Sequence, residues 1–277
     1  ASTAFPTRAQ DGYETIRGRI VAALRGLLAE QGGVLGGIGM GCTGRFAADG
    51  SFLWNEFLPG WEGRHLAEDL ARDFGVSAAI ENDADAAALG EFRWGIGRGS
   101  RRFMYVTVST GIGGGMILDG QLYRGVDGCH PEIGHQVIDA GQGTSCWCGA
   151  AGCWESLASG PALAGWALAH GGNPAWDARA ICEAAQRGDA LAQAAVEREA
   201  HYLGVGLANL VSLFAPEVVA LGGGVMAQWA LFEPGVRGVI RQACGVMVPV
   251  ERVRIELAAV EQPALVGAAA VWLQRFG

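Results

Sequence analysis

The chain is 277 residues long, half of them hydrophobic and 17% charged, a composition that can bury a core and lies far from the disordered class. Its formal net charge is -8 and it has no basic block, which argues against a nucleic-acid-binding module, since that needs a positive surface. All 20 basic residues are arginine, so a phosphate site has to rely on backbone N–H groups, arginine or a metal rather than on a lysine point charge.

At about 100–200 residues per domain, one large or two modest domains are expected. The opening ASTAFPTRAQ has no basic segment followed by an apolar run, so no signal peptide is expected. Asp11–Gln31 reads as an amphipathic helix, with Tyr13, Ile16, Ile20, Leu24, Leu27 and Leu28 at helical spacing, Asp11 as its cap and Gly32–Gly33 as its stop. Val34–Cys42 is an apolar, glycine-rich strand entering a loop. His65–Phe74 reads as helix, Ser77–Glu81 as a short strand and Ala84–Trp94 as helix. The alternating glycines Gly95, Gly97 and Gly99 suit a domain boundary before Arg102. Phe103–Ser109 is a strand, Gly113–Gly115 lead into a second strand over Met116–Asp119, and Asp119–Gly120 signals a hairpin with a return strand over Gln121–Arg124. Residues 125–155 form a loop-rich insert, and Ser156 to about Phe214 is mainly helical. Leu203–Met226 comes nearest to a membrane span but is broken by Asn209, Ser212, Pro216 and Glu217, so a protein free of membranes is expected. Glu217–Leu221 and Val253–Leu257 are strands, and Pro263 opens a last helix ending near Phe276. Strands alternate with helices, which makes the class α/β.

Five features carry chemistry. His135, Cys146, Cys148 and Cys153 supply three thiolates and an imidazole, the ligand set of a closed, structural tetrahedral zinc site. Seven cysteines, odd in number and partly clustered, fit metal binding in a reducing compartment, hence the cytoplasm, better than a disulfide framework. Ser109–Gly115 and Gly222–Gly224 are glycine runs after strands, either phosphate-facing loops or ordinary tight turns. Glu81–Asn82–Asp83–Ala84–Asp85 stands at a strand end opening a helix, where capping alone also favours Asn and Asp. Glu132 and Glu155 flank the cysteine cluster; they can grip hydroxyl groups or simply face water.

ENDADAAALGE at 81–91, VSTGIGGGMILDG at 108–120, HPEIGH at 130–135, CWCGAAGCWESLASG at 146–160 and VALGGGV at 219–225, with LPGW at 58–61 and GAAA at 267–270, together resemble the ROK family, named for repressors, open reading frames and kinases. The resemblance runs from about Phe5 to the C-terminus. It implies an actin-like ATPase, ribonuclease-H-like, two-domain fold with an interdomain cleft. The smaller domain would span 1–100, joined by the C-terminal helix 263–277, and the larger one 101–262 with the zinc loop. It implies an ATP-dependent hexose kinase, glucose being the commonest acceptor, with fructose and N-acetylmannosamine as alternatives and a sugar-sensing or catalytically weak relative as the reading from another class. Asp83 is implied as catalytic base, and Asn82, Asp83, Glu132, His135 and Glu155 as sugar ligands, with His135 also on the zinc. Thr110, Gly111, Gly113 and Gly114 would face the ATP phosphates, and Gly222, Gly223 and Gly224 the adenosine. Mg2+ with ATP, a structural Zn2+ and a homodimer complete the expectation. Asp85 stands where the family more often has asparagine. Family kinases begin with an Asp-x-Gly-Gly-Thr phosphate loop, which does not occur between Ala1 and Gly277; it is expected ahead of Ala1.

Overall fold

The computed structural model describes residues 1–277, the side chain of Gln142 excepted. It stacks helices and two sheets in alternating layers. The first sheet pairs β1 (Ile38–Cys42) with β2 (Ala78–Asn82) in parallel, Cys42 opposite Asn82. One face is covered by α1 (Tyr13–Gln31) and α2 (Leu66–Phe74) around Ile16, Phe52, Trp61 and Leu70. The other face carries α3 (Asp83–Trp94) and α9 (Pro263–Phe276), built from small residues that let backbones come close. A Cβ on Gly267 would lie 1.7 Å from the carbonyl oxygen of Ala86, and one on Gly39 of β1 1.7 Å from that of Ala268. Neither position accepts a side chain.

Helices α3 and α9 also rest on the second sheet, of order β5-β4-β3-β6-β7. Its strands are β3 (Arg102–Val108), β4 (Ile112–Leu118), β5 (Gln121–Leu122), β6 (Val218–Gly222) and β7 (Arg254–Leu257). β3 runs antiparallel to β4 and parallel to β6. Phe103 and Tyr105 face α3 and α9, while Met104, Val106 and Val108 face the opposite core. Both faces of the strand are buried, which is why its sequence is a continuous apolar run. On the far side lie α4 (Trp154–Ala158), α5 (Gly160–Ala169), α6 (Ala178–Gln186), α7 (Ala190–Phe214) and α8 (Trp229–Cys244). No helix among the described residues is long and apolar enough to cross a membrane.

Most expected elements lie within a residue or two of their place, and four differ. The strand expected over Val34–Cys42 begins only at Ile38. Asp11 does not cap α1; it sits in a 3-10 turn, pairs with Arg19, and leaves Gly12 at the cap position. The strand expected from Met116 begins at Ile112, so Gly113, Gly114 and Gly115 belong to β4 rather than to a loop before it. Helix α8 escapes the sequence reading because Pro234, Gly235 and Gly238 interrupt its pattern. The hairpin turn is as its sequence requires, with Asp119 and Gly120 at φ 47° and 85°.

Candidate active site

A cavity of about 510 Å³ opens between the two sheets' units. The first unit contributes Thr43, Gly44, Arg45, Trp54, Phe57 and Asn82, the second Ile112, His130, Glu132, His135, Trp147 and Glu155. Four of the five expected sugar ligands, Asn82, Glu132, His135 and Glu155, thus line one space.

Asn82 ends β2 and caps α3. Its Oδ1 accepts from the Ala84 N–H at 2.8 Å, and its Nδ2 donates to the Gly44 carbonyl at 3.1 Å. This buried amide therefore fixes both the helix start and the loop after β1. Asp83, the first residue of α3, is exposed; its Oδ1 accepts from Ala84 N–H at 2.9 Å. It does not line the 510 Å³ cavity but a neighbouring, mostly apolar one of about 490 Å³, the two sharing Thr43 as a wall.

Glu155 is held from two sides. Its Oε1 accepts from Trp147 Nε1 and its Oε2 from the Ile112 N–H, each at 2.9 Å. The second bond ties it to the turn between β3 and β4. The Trp147 ring also meets His135 edge-on at 4.7 Å and Phe57 at 6.4 Å across the cleft. Sequence reasoning gave Trp147 no role: only its place between two expected metal ligands marks it.

The ligand atoms of His135, Cys146, Cys148 and Cys153 lie within 4.8 Å of one another. Cys148 and Cys153 sulfurs are 3.5 Å apart, as are Cys146 Sγ and His135 Nδ1. Tetrahedral zinc, with Zn–S near 2.3 Å and Zn–N near 2.0–2.1 Å, demands separations of about 3.5–3.8 Å. Burial, and then its sulfur neighbours, push the Cys153 thiol up to about 12. A divalent cation reverses that preference and holds thiolates, so the donor set fits zinc by distance and by chemistry. With Nδ1 committed to the cluster, Nε2 of His135 is left for the cavity it lines.

The glycine stretches divide. Ser109, Thr110 and Gly111 form the turn after β3, and Gly222–Gly224 end β6 beside it, Thr107 pairing with Gly222. Both therefore lie at the carboxyl ends of adjacent parallel strands, where open α/β sheets bind ligands. Gly223 has φ 92°, and a Cβ there would lie 2.3 Å from the Val108 carbonyl oxygen. Gly113 and Gly114 lie within β4, and of the two only Gly114 is too tightly packed for a side chain. A Cβ on Gly114 would strike Ile133 at 2.3 Å, and one on Gly113 would touch Ala84 at 3.6 Å.

A charged network missed by sequence reasoning adjoins Glu132. Asp85, fully buried on α3, lies 2.9 Å from Arg124 Nη1, with His130 Nδ1 at 3.9 Å. Arg124 also pairs with Glu81. His130 Nε2 is 3.3 Å from Glu132 Oε1. Burial pushes the Asp85 carboxyl up to about 6, against the pull of Arg124 and His130. Burial disfavours charge on His130 too, but the bond to Glu132 and the two carboxylates outweigh it and raise its pKa.

A model described as the ROK family matches residues 1–275. Over 237 residues, 80% of this chain and 72% of the relative, the sequence is 34% identical to a glucokinase of Halalkalibacterium halodurans. Among solved structures, the ROK hexokinase of Thermus thermophilus superposes with TM-score 0.82 at 32% identity, over 98% of this chain and 90% of that one. The ROK family glucokinase of Streptomyces griseus, in complex with glucose and AMPPNP, does so with TM-score 0.78 at 32% identity, again over 98% and 90%.

Proposed function

The chain belongs to the ROK family, and from that premise we infer that it is an ATP-dependent hexose kinase with glucose as acceptor. The observation that carries this reading is the meeting of Asn82, Glu132, His135 and Glu155 in one cavity beside a four-donor metal cluster. Its relatives include proteins named glucokinase and a structure holding glucose with an ATP analogue. Its fold is that of the actin-like ATPases, two α/β units around a cleft.

A sugar hydroxyl is a poor nucleophile. In the proposed mechanism Asn82, Glu132, Glu155 and the free nitrogen of His135 orient the sugar. Asp83 takes the proton of the attacking hydroxyl as its oxygen bonds to the γ-phosphorus and the bond to the β-phosphate oxygen breaks. Its place at the start of α3, next to Asn82, keeps the base in register with a sugar ligand. The N–H groups around Thr110 and Gly111 face the phosphates, and Gly222–Gly224 lie toward the adenosine. Mg2+ arrives with ATP as part of the substrate. His135, Cys146, Cys148 and Cys153 would hold zinc, which would supply no step but would pin the loop that presents Glu132, His135 and Glu155. Closure of the cleft excludes water, the competing acceptor. A homodimer in the cytoplasm belongs to the same proposal, and light scattering on the purified chain tests the dimer.

The test is ADP release, coupled to a dehydrogenase, with glucose, fructose, mannose and N-acetylmannosamine. Glucose is expected to give the highest kcat/KM. A folded, metal-loaded chain that releases no ADP with any of them removes the kinase reading.

A further inference from the structure

Asp85 is wholly buried, yet it is no isolated core acid. It stands two residues after Asp83 in the first turn of α3, on the first unit. Its charged neighbours, Arg124 and His130, come from the second unit, from the segment after β5. The Arg124 contact is one of charge at 2.9 Å, with neither carboxylate oxygen aligned on an N–H; Oδ1 points at Gly115, where a Cβ would come within 2.7 Å of it. Arg124 is held on its other side by Glu81 of β2. His130 is thus flanked by two carboxylates, Asp85 at Nδ1 and Glu132 at Nε2. His135 and Arg45 are the further charges acting on Glu132. A buried carboxylate costs several kcal/mol to desolvate, so its placement has to be matched by partners, and these lead to the sugar cavity.

Resting on the kinase reading, we propose that Asp85 is a positioning residue for the acceptor. Through His130 it aims the carboxylate of Glu132, and through Arg124 it fastens the segment 123–132 to α3. One helical turn then carries both the base, Asp83, and the anchor of a sugar-gripping carboxylate. The base and the sugar stay in register because they share a frame, which is the geometry that a phosphoryl acceptor needs.

Three variants of the full, metal-loaded chain test this: Asp85→Asn, His130→Gln and both together. Losing the orientation given by one carboxylate–imidazole charge contact is expected to raise the KM for sugar about tenfold in each single variant, with kcat and the KM for ATP within about twofold. The double variant is expected to lose less than the product of the two single effects, because both cut the shared route through His130. A purely structural role would lower kcat and raise the KM for both sugar and ATP together, and give additive losses. Crystal structures of the wild type and Asp85→Asn supply a readout independent of turnover: the Glu132 carboxylate is expected to leave its place. An unchanged sugar KM in a folded Asp85→Asn, additive effects, or an unmoved Glu132 overturns the proposal. Where Asp85→Asn does not fold, an unchanged sugar KM in His130→Gln does so. A wild type without kinase activity defeats the parent reading instead, and the crystal structures still decide whether Asp85 places Glu132.

Discussion

Replacing Glu199 by glutamine should stabilise the protein above pH 6 and flatten its response to pH. Glu199 lies inside α7, fully buried, and both its carboxylate oxygens lack hydrogen-bond partners among the described residues. Burial pushes its carboxyl up to about 8 from the ordinary 4.5, only partly offset by Arg198. The folded state therefore keeps a proton that the unfolded chain has lost. Stability from this group is full below about 4.5, falls as the pH rises, and levels off above about 8. Each pH unit in that window is worth ~1.4 kcal/mol, so at pH 7 the native state has lost about 3 kcal/mol through this one residue. Glutamine carries no such dependence. The assay is urea denaturation of the wild type and Glu199→Gln at half-unit steps from pH 5 to 8, comparing midpoints at constant slope. The gap between the two is expected to widen in favour of glutamine by ~1.4 kcal/mol per pH unit. Taking the difference cancels other titrating groups, Asp85 among them. Parallel curves would refute the reasoning and mean that Glu199 is solvated or paired in solution.

Asp83→Asn is expected to fold and to bind glucose with affinity within a few-fold of wild type by calorimetry, while kcat falls by about 10²–10⁴; near-normal turnover removes Asp83 from the mechanism. The purified chain is expected to hold one zinc ion by elemental analysis, and Cys153→Ala to abolish it, lower Tm and weaken glucose binding; a chelator should bring the wild type to the same state and leave the variant unaffected. Gly206→Ala places a Cβ 2.1–2.6 Å from the indole of Trp154, the residue between Cys153 and Glu155. Its expected cost is ~1–3 kcal/mol of stability, together with a raised KM for sugar, because moving Trp154 moves Glu155; thermal melts and initial rates read the two effects.

The order of strands and helices was open to inspection because each signal is local: apolar runs such as Phe103–Val108, a glycine after Gln31, the Asp119–Gly120 turn. The metal cluster was legible for another reason, since soft donors so closely spaced have little else to do. The glycines were harder to read. Gly223 serves a turn with positive φ, whereas Gly114 and Gly267 make room for a neighbour, and the residue type alone does not separate these uses. Partners distant in the chain were not legible at all. Nothing in ENDAD says that Asp85 will meet Arg124 and His130, or that Glu199, between Arg198 and Ala200, will be sealed from water. Helix α8 was hidden by its own Pro234.

The contact between Gly39 and Ala268 sets a timetable for biosynthesis. A ribosome releases β1 long before the helix that shields one of its faces, since α9 follows only after the strands of the second sheet. Until then the inner face of the first sheet, with Ala79, has no lid on the α9 side. A chain stalled or clipped before Pro263 would expose that surface to aggregation or to chaperones and proteases. The core on the far face of the second sheet, which gathers residues from Met104 to Ile255, contains no residue of α9 and can form without it.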